Sequence, residues 1–381
     1  MSDGSAIEWT DATWNPIVGC SVVSPGCTNC YAMRLAGTRL RHHPTRAGLT
    51  VDTNAGPVWN GQVRFNDKAR LAPLHWTRPR MIFVCAQGDL FAEQVPDEWI
   101  DRVFAVMALC PQHIFQVLTK RPARMRAYLT GLTGLATPLV ANGAWPLPNV
   151  WLGTSVEDQR RADERIPELL ATPAAVRWIS AEPLLGPVDI RRWISTCYEC
   201  GASCGLRLSE RPTVERCYDC GEEYDETTEP AFSEGCPKCG GELEPICPDC
   251  GHYMVYQHPD TPNLDWVVVG GESGPGARPM HPDWARSLRD QCAAPGVPFF
   301  FKQWGAWAPG ECEDMGDYVS FTPRENDVSP RPVTPDNIRW CNASTAPDGL
   351  GFQLVGKKAA GRLLDGVEHN GMPNARPGAQ P

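Results

Sequence analysis

A chain of 381 residues with a formal net charge of −10, of which 42% are hydrophobic and 21% charged, is long enough to bury a large core as one barrel or two domains. It contains no apolar stretch of membrane-spanning length, and its first thirty residues lack the basic-then-apolar pattern of a signal peptide, so we expect neither a membrane protein nor a secreted one. The 17 cysteines fall largely in CxxC pairs, which in a chain of this size indicates metal binding in a reducing cytoplasm rather than a disulfide scaffold.

The first element predicted along the chain is a short strand around Trp14–Gly19, and three cysteines follow it with the spacing Cys20-x6-Cys27-x2-Cys30. Glycine, proline and asparagine residues indicate a loop, and a helix-like run over Tyr31–Leu40 comes next. A loop that leads into a helix can fold its sulfurs around one point. Three thiolates leave one position of a four-coordinate iron or zinc site open. An open position is typical of a metal site used for chemistry, whereas a structural metal site is closed.

Three interpretations of these cysteines remain open. The first, which we favour, is an iron–sulfur cluster. The second is a closed zinc site completed by His42 or His43, with a rarer variant in which the zinc is catalytic and Glu182 or Glu272 acts as the base. The third is a set of reduced thiols that bind no metal.

Short apolar runs alternate with helix-like stretches along most of the chain. Most runs are nearly continuous in apolar residues, as expected for parallel strands covered on both faces. With the first strand they number about eight, so the fold class that we expect is α/β, with a (β/α)8 or related TIM-like parallel barrel. An open doubly wound sheet shows the same alternation and is the alternative. The predicted runs are 62–65, 80–85, 113–119, 149–156, 175–180, 265–271 and 298–304, and further helices are predicted to start at Pro96 and Pro282.

Polar or charged residues follow six of these runs in succession. The carboxyl ends of parallel barrel strands form one rim, where active sites are built. We therefore expect a site at this rim, with Asp89, Lys120, Glu182 and Glu272 as candidate catalytic residues. The alternative is that the rim charges form mostly an ion-pair network. Its further members would be Glu157, Arg121 and Lys302.

Residues 196–262 interrupt the pattern with four Cys-x2-Cys-Gly knuckles. Each knuckle can point two sulfurs at one tetrahedral ion, and its glycine allows the tight turn without steric strain in the backbone. Eight sulfurs therefore predict two structural zinc ions in a zinc-ribbon module. The pairing stays open: nested pairing is attractive because 15 residues separate Cys220 from Cys236, whereas sequential pairing leaves 7 residues between Cys239 and Cys247. The predicted ligands are Cys197, Cys200, Cys217, Cys220, Cys236, Cys239, Cys247 and Cys250.

The same segment is strongly acidic, with 13 acidic and 4 basic residues between Cys197 and Cys250. That local balance of −9 leaves the remainder of the chain near −1. An acidic zinc module is poorly suited to binding phosphate groups on its own, but it could bind a basic protein partner. Its few large apolar residues also indicate that metal supplies much of its folding free energy.

These patterns predict four regions. Residues 1–195 form the first part of the barrel with the three cysteines, 196–262 the zinc-ribbon insert, and 263–308 the completion of the barrel. Residues 309–381 are rich in proline, aspartate and serine and are expected to be irregular, apart from a short basic helix within 352–366.

Eight segments are long and specific enough to compare with known families: IEWTDATWNPIVGC, CTNCYA, FQVLTKRP, WLGTSVE, ISAEPLLG, DWVVVGGESGPGARPMHPDW, FFFKQWG and GKKAAGRLLDG. They resemble the phage-encoded three-Cys-motif proteins, a family of radical-S-adenosylmethionine-like barrel proteins that is common in phages and bacteria. The resemblance covers most of the chain except 197–262, which looks like an added zinc module between the sixth and seventh strands.

This family is similar to radical S-adenosylmethionine enzymes, and the resemblance implies their cofactors. Cys20, Cys27 and Cys30 would hold a 4Fe-4S cluster whose fourth iron binds S-adenosylmethionine, and one electron would cleave that cofactor to a 5′-deoxyadenosyl radical. The usual spacing in those enzymes is C-x3-C-x2-C with an aromatic residue before the last cysteine. Here the first gap has six residues, and Asn29 occupies the aromatic position, with Tyr31 following the motif.

The function that we expect is therefore that of a radical S-adenosylmethionine-like iron–sulfur enzyme that modifies or repairs a nucleic acid or a nucleotide-derived substrate. The phage context suggests that substrate class. A basic stretch over 39–46 follows the cysteines, although an exposed helix end explains it equally well. The alternative is a zinc-binding adaptor without turnover that engages a protein partner through its acidic insert.

Overall fold

The structure, a computed structural model, describes most of the first 194 residues and parts of the remainder. The described residues are 5, 7–131, 145–194, 214–217, 221–224, 238–239, 243–246, 263–293, 295–311, 318–321, 338–341 and 350–373.

The strands are short and spread over the whole described chain. In chain order they are β1 (Ala12–Trp14), β2 (Ile17–Val18), β3 (Thr50–Thr53), β4 (Gly56–Trp59), β5 (Arg64–Phe65), β6 (Met81–Val84), β7 (Ile114–Thr119), β8 (Val150–Ser155), β9 (Val176–Ala181), β10 (Val214–Cys217), β11 (Glu223–Tyr224), β12 (Leu243–Ile246), β13 (Trp266–Gly270), β14 (Phe299–Gln303), β15 (Trp307–Glu311), β16 (Tyr318–Phe321), β17 (Ile338–Cys341) and β18 (Leu350–Leu354).

Seven helices accompany them within the described ranges. They are α1 (Tyr31–Gly37), α2 (Asp67–Arg70), α3 (Asp97–Ala108), α4 (Pro122–Thr130), α5 (Gln159–Leu170), α6 (Pro282–Ala293) and α7 (Lys357–Ala360). None of these helices has the length and the apolar composition needed to cross a bilayer.

Seven strands form one parallel sheet in the order β1-β6-β7-β8-β9-β13-β14. The helices α3, α4, α5 and α6 each connect two strands that are neighbours in this sheet. The prediction of an α/β fold with a TIM-like parallel sheet is therefore confirmed at this level. β9 pairs with β13, with Trp178 opposite Trp266, although residues 196–262 lie between them in the chain.

The sheet curls into a partial barrel around Trp9. The ring of Trp9 lies 4.8 Å from that of Phe83 in β6, 5.2 Å from that of Trp178 in β9 and 6.1 Å from that of Trp266 in β13. β6 and β13 are four places apart in the sheet. Neighbouring strands are separated by about 4.8 Å, so a flat sheet could not bring both strands to one ring. Trp9 therefore fills the concave face near the amino-terminal ends of the strands.

Both faces of this sheet are buried. On β13, Trp266 and Val268 belong to the aromatic cluster inside the barrel, whereas Val267 and Val269 belong to the larger cluster that includes the helices. Successive side chains of a strand point to opposite faces. This double burial explains why these strands are nearly continuous in apolar residues.

The structure differs from the prediction in its first strands. The run QVRF at 62–65 contributes only β5, which pairs antiparallel with β2 outside the main sheet. Its alternation of polar and apolar residues fits a ribbon with one exposed face rather than a strand buried on both. The first barrel strand ends at Trp14, because Pro16 lacks the N–H that a continuing strand would use. Among the described strands the main sheet has seven members instead of eight, and no pairing joins β14 to β1.

Residues 369–371, near the carboxyl terminus, pair with the free edge of β14. Phe301 N donates to His369 O at 2.9 Å, and Gly371 N donates to Phe299 O at 2.9 Å. An uncovered strand edge is prone to pair with another molecule, so this contact protects the barrel.

The structure also differs from the irregular segment predicted at 309–381. The described strands β15 to β18 form an antiparallel sheet in the order β15-β18-β16-β17. The predicted basic helix within 352–366 is reduced to the four residues of α7, because Gly356 and Gly361 have φ of +84° and +74° and interrupt helical backbone on both sides. The residue composition of this segment does not predict the sheet, because strand preference depends on pairing and burial more than on residue type.

The described residues of the insert form a separate antiparallel sheet in the order β11-β10-β12. Cys217 stands at the end of β10, opposite Leu243 of β12. The insert therefore contains a small sheet of its own next to one of the predicted cysteine knuckles.

Candidate active site at the rim of the partial barrel

A cavity of about 470 Å³ lies at the carboxyl ends of the main-sheet strands. The structure brings all four candidate catalytic residues to its wall: Asp89 after β6, Lys120 after β7, Glu182 after β9 and Glu272 after β13. Lys302 of β14 joins them. Because the strands are parallel, their carboxyl ends meet at one rim, as the sequence predicts.

The three amino-terminal cysteines line the same cavity. We call residues 20–30 the cysteine loop. Cys27 ends a 3-10 turn, Cys30 N donates to Cys27 O at 3.2 Å, and Cys30 directly precedes α1. Cys20 follows Gly19, which has a φ of +94°. A Cβ atom added at Gly19 would lie 2.3 Å from a backbone oxygen, so only glycine fits there.

Among the described residues, no three His, Cys, Asp or Glu side chains lie close enough together to hold a single ion. A zinc site completed by His42 or His43 stays an open alternative.

Burial raises the pKa of two thiols of the cysteine loop, those of Cys20 and Cys30. The pKa of Cys20 is raised to about 12, first by burial and then by the Asp89 carboxylate, while Arg121 acts in the opposite direction. Burial likewise raises the pKa of Cys30. Both thiols are therefore protonated at neutral pH without a metal, and any metal that binds them must release protons.

Arg121 holds the start of the cysteine loop against the ends of β6 and β7. Its Nη1 donates to Asp89 Oδ2 at 2.8 Å and to Cys20 Sγ at 3.6 Å. Its Nη2 donates to Ser21 Oγ at 2.6 Å, and its Nε donates to Glu93 Oε1 at 2.7 Å. The side chain is only 6% exposed, so the guanidinium is a buried link between the loop and the sheet.

Asp89 is saturated by these and other donors. Its Oδ1 accepts from Thr119 Oγ1 at 2.8 Å and from Phe91 N at 2.9 Å, and its Oδ2 accepts from Arg121 and from Lys120 N. A carboxylate with so many donors orients its neighbours and has little capacity left for a substrate.

Glu157 holds the middle of the cysteine loop. It is fully buried, accepts a hydrogen bond from Ser24 Oγ, and pairs with Lys120 Nζ at 3.4 Å and Arg165 Nη1 at 2.8 Å. A side chain added at Gly26 would lie 2.3 Å from Glu157 Oε1, so the loop can approach the carboxylate only through glycine. Burial alone would raise the pKa of Glu157, but Lys120 and Arg165 outweigh it, and the pKa is lowered.

Glu272 holds the end of the cysteine loop. Its Oε2 accepts from Asn29 Nδ2 and from Arg278 Nε, both at 2.9 Å, and its Oε1 accepts from Arg278 Nη2 at 2.6 Å. Arg278 Nη2 also donates to Pro25 O at 3.0 Å. The ends of three different parts of the sheet thus hold the loop at three points.

Glu182 differs from the other candidate catalytic residues. Its Oε1 accepts from Lys302 Nζ at 2.6 Å and from Gln303 Nε2 at 3.4 Å, and both donors also line the cavity. Asp89, Lys120 and Glu272 take part in holding the cysteine loop, as the ion-pair alternative anticipates, whereas the described hydrogen bonds of Glu182 reach only β14. The catalytic role of all four stays a prediction.

Two residues of the site are not among those predicted from the sequence. Cys85 is a fourth thiol in the cavity wall, follows β6, has a φ of +56°, and has its pKa raised to about 12 by burial. Its position at the end of the predicted run 80–85 was the available signal. Arg278, the partner of Glu272, lies in a polar stretch with no periodic pattern, and no local signal identifies it.

Two cysteines of the insert fall within the described residues. Cys217 Sγ and Cys239 Sγ are 3.4 Å apart, with Cys217 buried and Cys239 exposed. The predicted ligands Cys197, Cys200, Cys220, Cys236, Cys247 and Cys250 lie outside the described residues.

The basic stretch at 39–46 is only partly available to a ligand. Arg46 is buried and donates from Nε to Gln87 Oε1 at 3.1 Å, and the exposed Arg41 pairs with Asp52 at 3.2 Å. These contacts favour a structural role for part of the stretch.

Comparisons with known proteins identify a family and no individual relative. No curated protein and no solved structure matches the chain. The resemblance to the phage three-Cys-motif proteins therefore stays a prediction. The family model described as "Protein of unknown function (DUF5131)" matches residues 4–373, and the chain belongs to this family.

Proposed function

We propose that the protein is a radical S-adenosylmethionine-like iron–sulfur enzyme that modifies or repairs a nucleic acid or a nucleotide-derived substrate. The observation that carries the proposal is the position of Cys20, Cys27 and Cys30 in the wall of one cavity at the carboxyl ends of a parallel partial barrel. Its volume of about 470 Å³ falls within the roughly 300–1,000 Å³ of small-molecule sites.

The donor set is compatible with a 4Fe-4S cluster held by these three cysteines. In a cluster each cysteine binds a different iron, so its sulfurs stand farther apart than the ligands of one ion. Cys20, Cys27 and Cys30 line one cavity, which supports a cluster held there by all three. Such a cluster would leave one iron for S-adenosylmethionine and supply the electron that cleaves it.

The protein's own contribution to this site is to fix the cysteine loop. Arg121, Glu157 and Glu272 each hold a different part of the loop through buried, charged hydrogen bonds. Reactive constellations need supporting residues whose own positions are locked. Arg121, Glu157 and Glu272 therefore support the chemistry by positioning the cysteine loop rather than by proton transfer.

Glu182 and Lys302 are the pair best placed to act on a substrate. They lie 2.6 Å apart in the cavity wall, with 20% and 12% of their side chains exposed. Such a pair can orient a polar group and exchange a proton with it. Aromatic side chains of Tyr31, Trp59 and Phe83 line the same cavity, and planar bases stack on such rings, which supports a nucleotide-derived substrate.

The test is reductive cleavage of S-adenosylmethionine by anaerobically reconstituted protein. Wild-type protein is expected to release 5′-deoxyadenosine and methionine in the presence of dithionite, and Cys27→Ala is expected to release neither. An iron-loaded wild-type protein that forms no 5′-deoxyadenosine would contradict the proposal.

A second candidate function is that of a zinc-dependent adaptor. The short distance between the sulfurs of Cys217 and Cys239, with the local charge of −9, supports a zinc-stabilised acidic surface for a basic partner. Leu264 N donates to Trp193 O at 3.0 Å, so the two ends of the insert meet and a variant without 197–262 can be joined across them. Loss of partner binding with unchanged iron chemistry in that variant would separate the two functions.

We also propose a cytoplasmic location. The eight cysteines whose side chains the structure describes form no disulfide, and buried thiols persist in a reducing compartment.

A further inference from the structure

We propose that Arg121 is a positioning residue that raises the reduction potential of the metal centre bound by Cys20. This role rests on the iron–sulfur function proposed above. Arg121 Nη1 is a charged donor 3.6 Å from Cys20 Sγ, inside the protein rather than at its surface.

The guanidinium of Arg121 is held in this orientation from several sides. Asp89 Oδ2 lies 2.8 Å from the same Nη1, Glu93 Oε1 lies 2.7 Å from Nε, and Ser21 Oγ lies 2.6 Å from Nη2. A planar guanidinium with all three nitrogens engaged cannot swing away from the sulfur. The contact with Cys20 is therefore a fixed part of the site.

A donor of this kind affects the two redox states of a cluster unequally. Reduction adds one electron, and part of the added negative charge resides on the sulfurs. A buried positive charge that donates to one of them stabilises the reduced state more than the oxidised state, and hydrogen bonds to sulfur are among the factors that set cluster potentials. Without Arg121, the carboxylate of Asp89 would remain near Cys20 and disfavour reduction.

Arg165 provides a matched control on the same rim. It is equally buried, and its Nη1 donates to Glu157 Oε2 and to Ser155 O, both at 2.8 Å. None of its described hydrogen bonds reaches a cysteine. Removing Arg165 therefore deletes a comparable buried cation without touching the sulfurs.

The experiment is a redox titration of the reconstituted full-length protein, followed by electron paramagnetic resonance. Arg121→Gln is expected to make reduction at least tenfold less favourable, which for one electron is a downward shift of about 59 mV. Arg121→Lys retains the charge and is expected to shift the potential less. Arg165→Gln weakens the support of the loop through Glu157 but removes no donor from a sulfur, so its potential is expected to shift less than that of Arg121→Gln. Iron content is measured for every variant.

Three results would overturn the proposal. The first is an iron-loaded Arg121→Gln protein with the wild-type potential, and the second is an equal shift in Arg165→Gln. The third is loss of iron from both Arg121 variants but not from Arg165→Gln, which would make Arg121 purely structural. A wild-type protein that binds no iron is a different outcome, because it contradicts the proposed function and this inference together.

Discussion

Asn29 Nδ2 donates a hydrogen bond to Glu272 Oε2 at 2.9 Å, across 243 positions of the chain. This contact joins the cysteine loop, which follows the first strand of the main sheet, to the end of β13, which follows the insert. Arg278 secures the same carboxylate from its other side. The position of the cysteines therefore depends on parts of the barrel that lie on both sides of residues 196–262.

Glu272→Gln is expected to destabilise the protein and to lower the iron bound per chain. The amide cannot pair with the Arg278 guanidinium, which is only 11% exposed, and an uncompensated buried charge costs about 3 kcal/mol. Denaturant unfolding and iron analysis measure the two effects. Glu164→Gln is the control, because the pair of Glu164 with Arg160 is exposed to solvent and contributes little to stability. Equal free energies of unfolding in the two variants would refute this view of Glu272.

Glu182→Gln is expected to separate chemistry from loop support. Its described hydrogen bonds reach β14 and not the cysteine loop, so iron content should stay at the wild-type value. Turnover should fall by about 100-fold if Glu182 moves a proton. The measurement is conversion of a nucleotide substrate per bound iron, while 5′-deoxyadenosine formation without substrate is expected to stay at the wild-type rate. Undiminished turnover would remove Glu182 from the catalytic residues, and lost iron would place it among the supports of the loop.

Cys85→Ala is expected to leave iron binding intact, whereas Cys27→Ala should abolish it. Cys85 lines the cavity but lies outside the cysteine loop, and a site ligated by three cysteines does not need it. Alanine has the same intrinsic difficulty as cysteine at a φ of +56°, so the substitution adds no backbone strain. Iron analysis of both variants decides the matter. Loss of iron from Cys85→Ala would indicate a fourth protein ligand and a closed cluster.

Cys217 and Cys239 are expected to bind the same zinc ion. Their sulfurs are 3.4 Å apart, which suits two corners of one tetrahedral site. Cys217→Ser and Cys239→Ser should each lose one of two zinc ions, and the double variant should lose no more than either single variant. Cys292→Ala, at a buried cysteine of α6, is the control for zinc content. Loss of both ions in the double variant alone would assign the two cysteines to different sites.

Asp365 is expected to contribute a small, pH-dependent stabilisation. Hydrogen bonds from Arg286 and Arg289 lower its pKa to about 2. The contribution is therefore complete above the unfolded-state value of about 4 and is lost as the pH falls towards 2. Because its side chain is 36% exposed, solvent limits the effect to below about 1 kcal/mol.

Denaturant unfolding of wild type and Asp365→Asn between pH 3 and 7 measures this contribution. The difference between the two proteins should be constant from pH 5 to 7 and shrink below pH 4. A difference that grows as the pH falls would have the wrong sign.

The sequence predicted those parts of the site that depend on strand direction. The runs 80–85 and 113–119 enclose β6 and β7, and parallel strands necessarily bring the residues that follow them to one rim. The pairing within the rim could not be read in the same way. Whether Glu272 binds a substrate or holds Asn29 depends on a contact between distant segments, and no local pattern encodes it.

The strands that were predicted wrongly also depend on contacts between distant segments of the chain. The run 62–65 has strand-like residues, but its partner is β2, and pairing decides which sheet a short strand joins. The chain beyond 309 contains strands despite its polar composition, since its neighbours supply the hydrogen bonds.

Metal analysis of anaerobically purified protein, comparing wild type with Cys27→Ala, tests the central claim most directly. Four irons and two zinc ions per wild-type chain are expected, with the iron lost and both zinc ions retained in Cys27→Ala. A wild-type protein without iron, or a Cys27→Ala protein with the same iron as wild type, would contradict a cluster held by the cysteine loop.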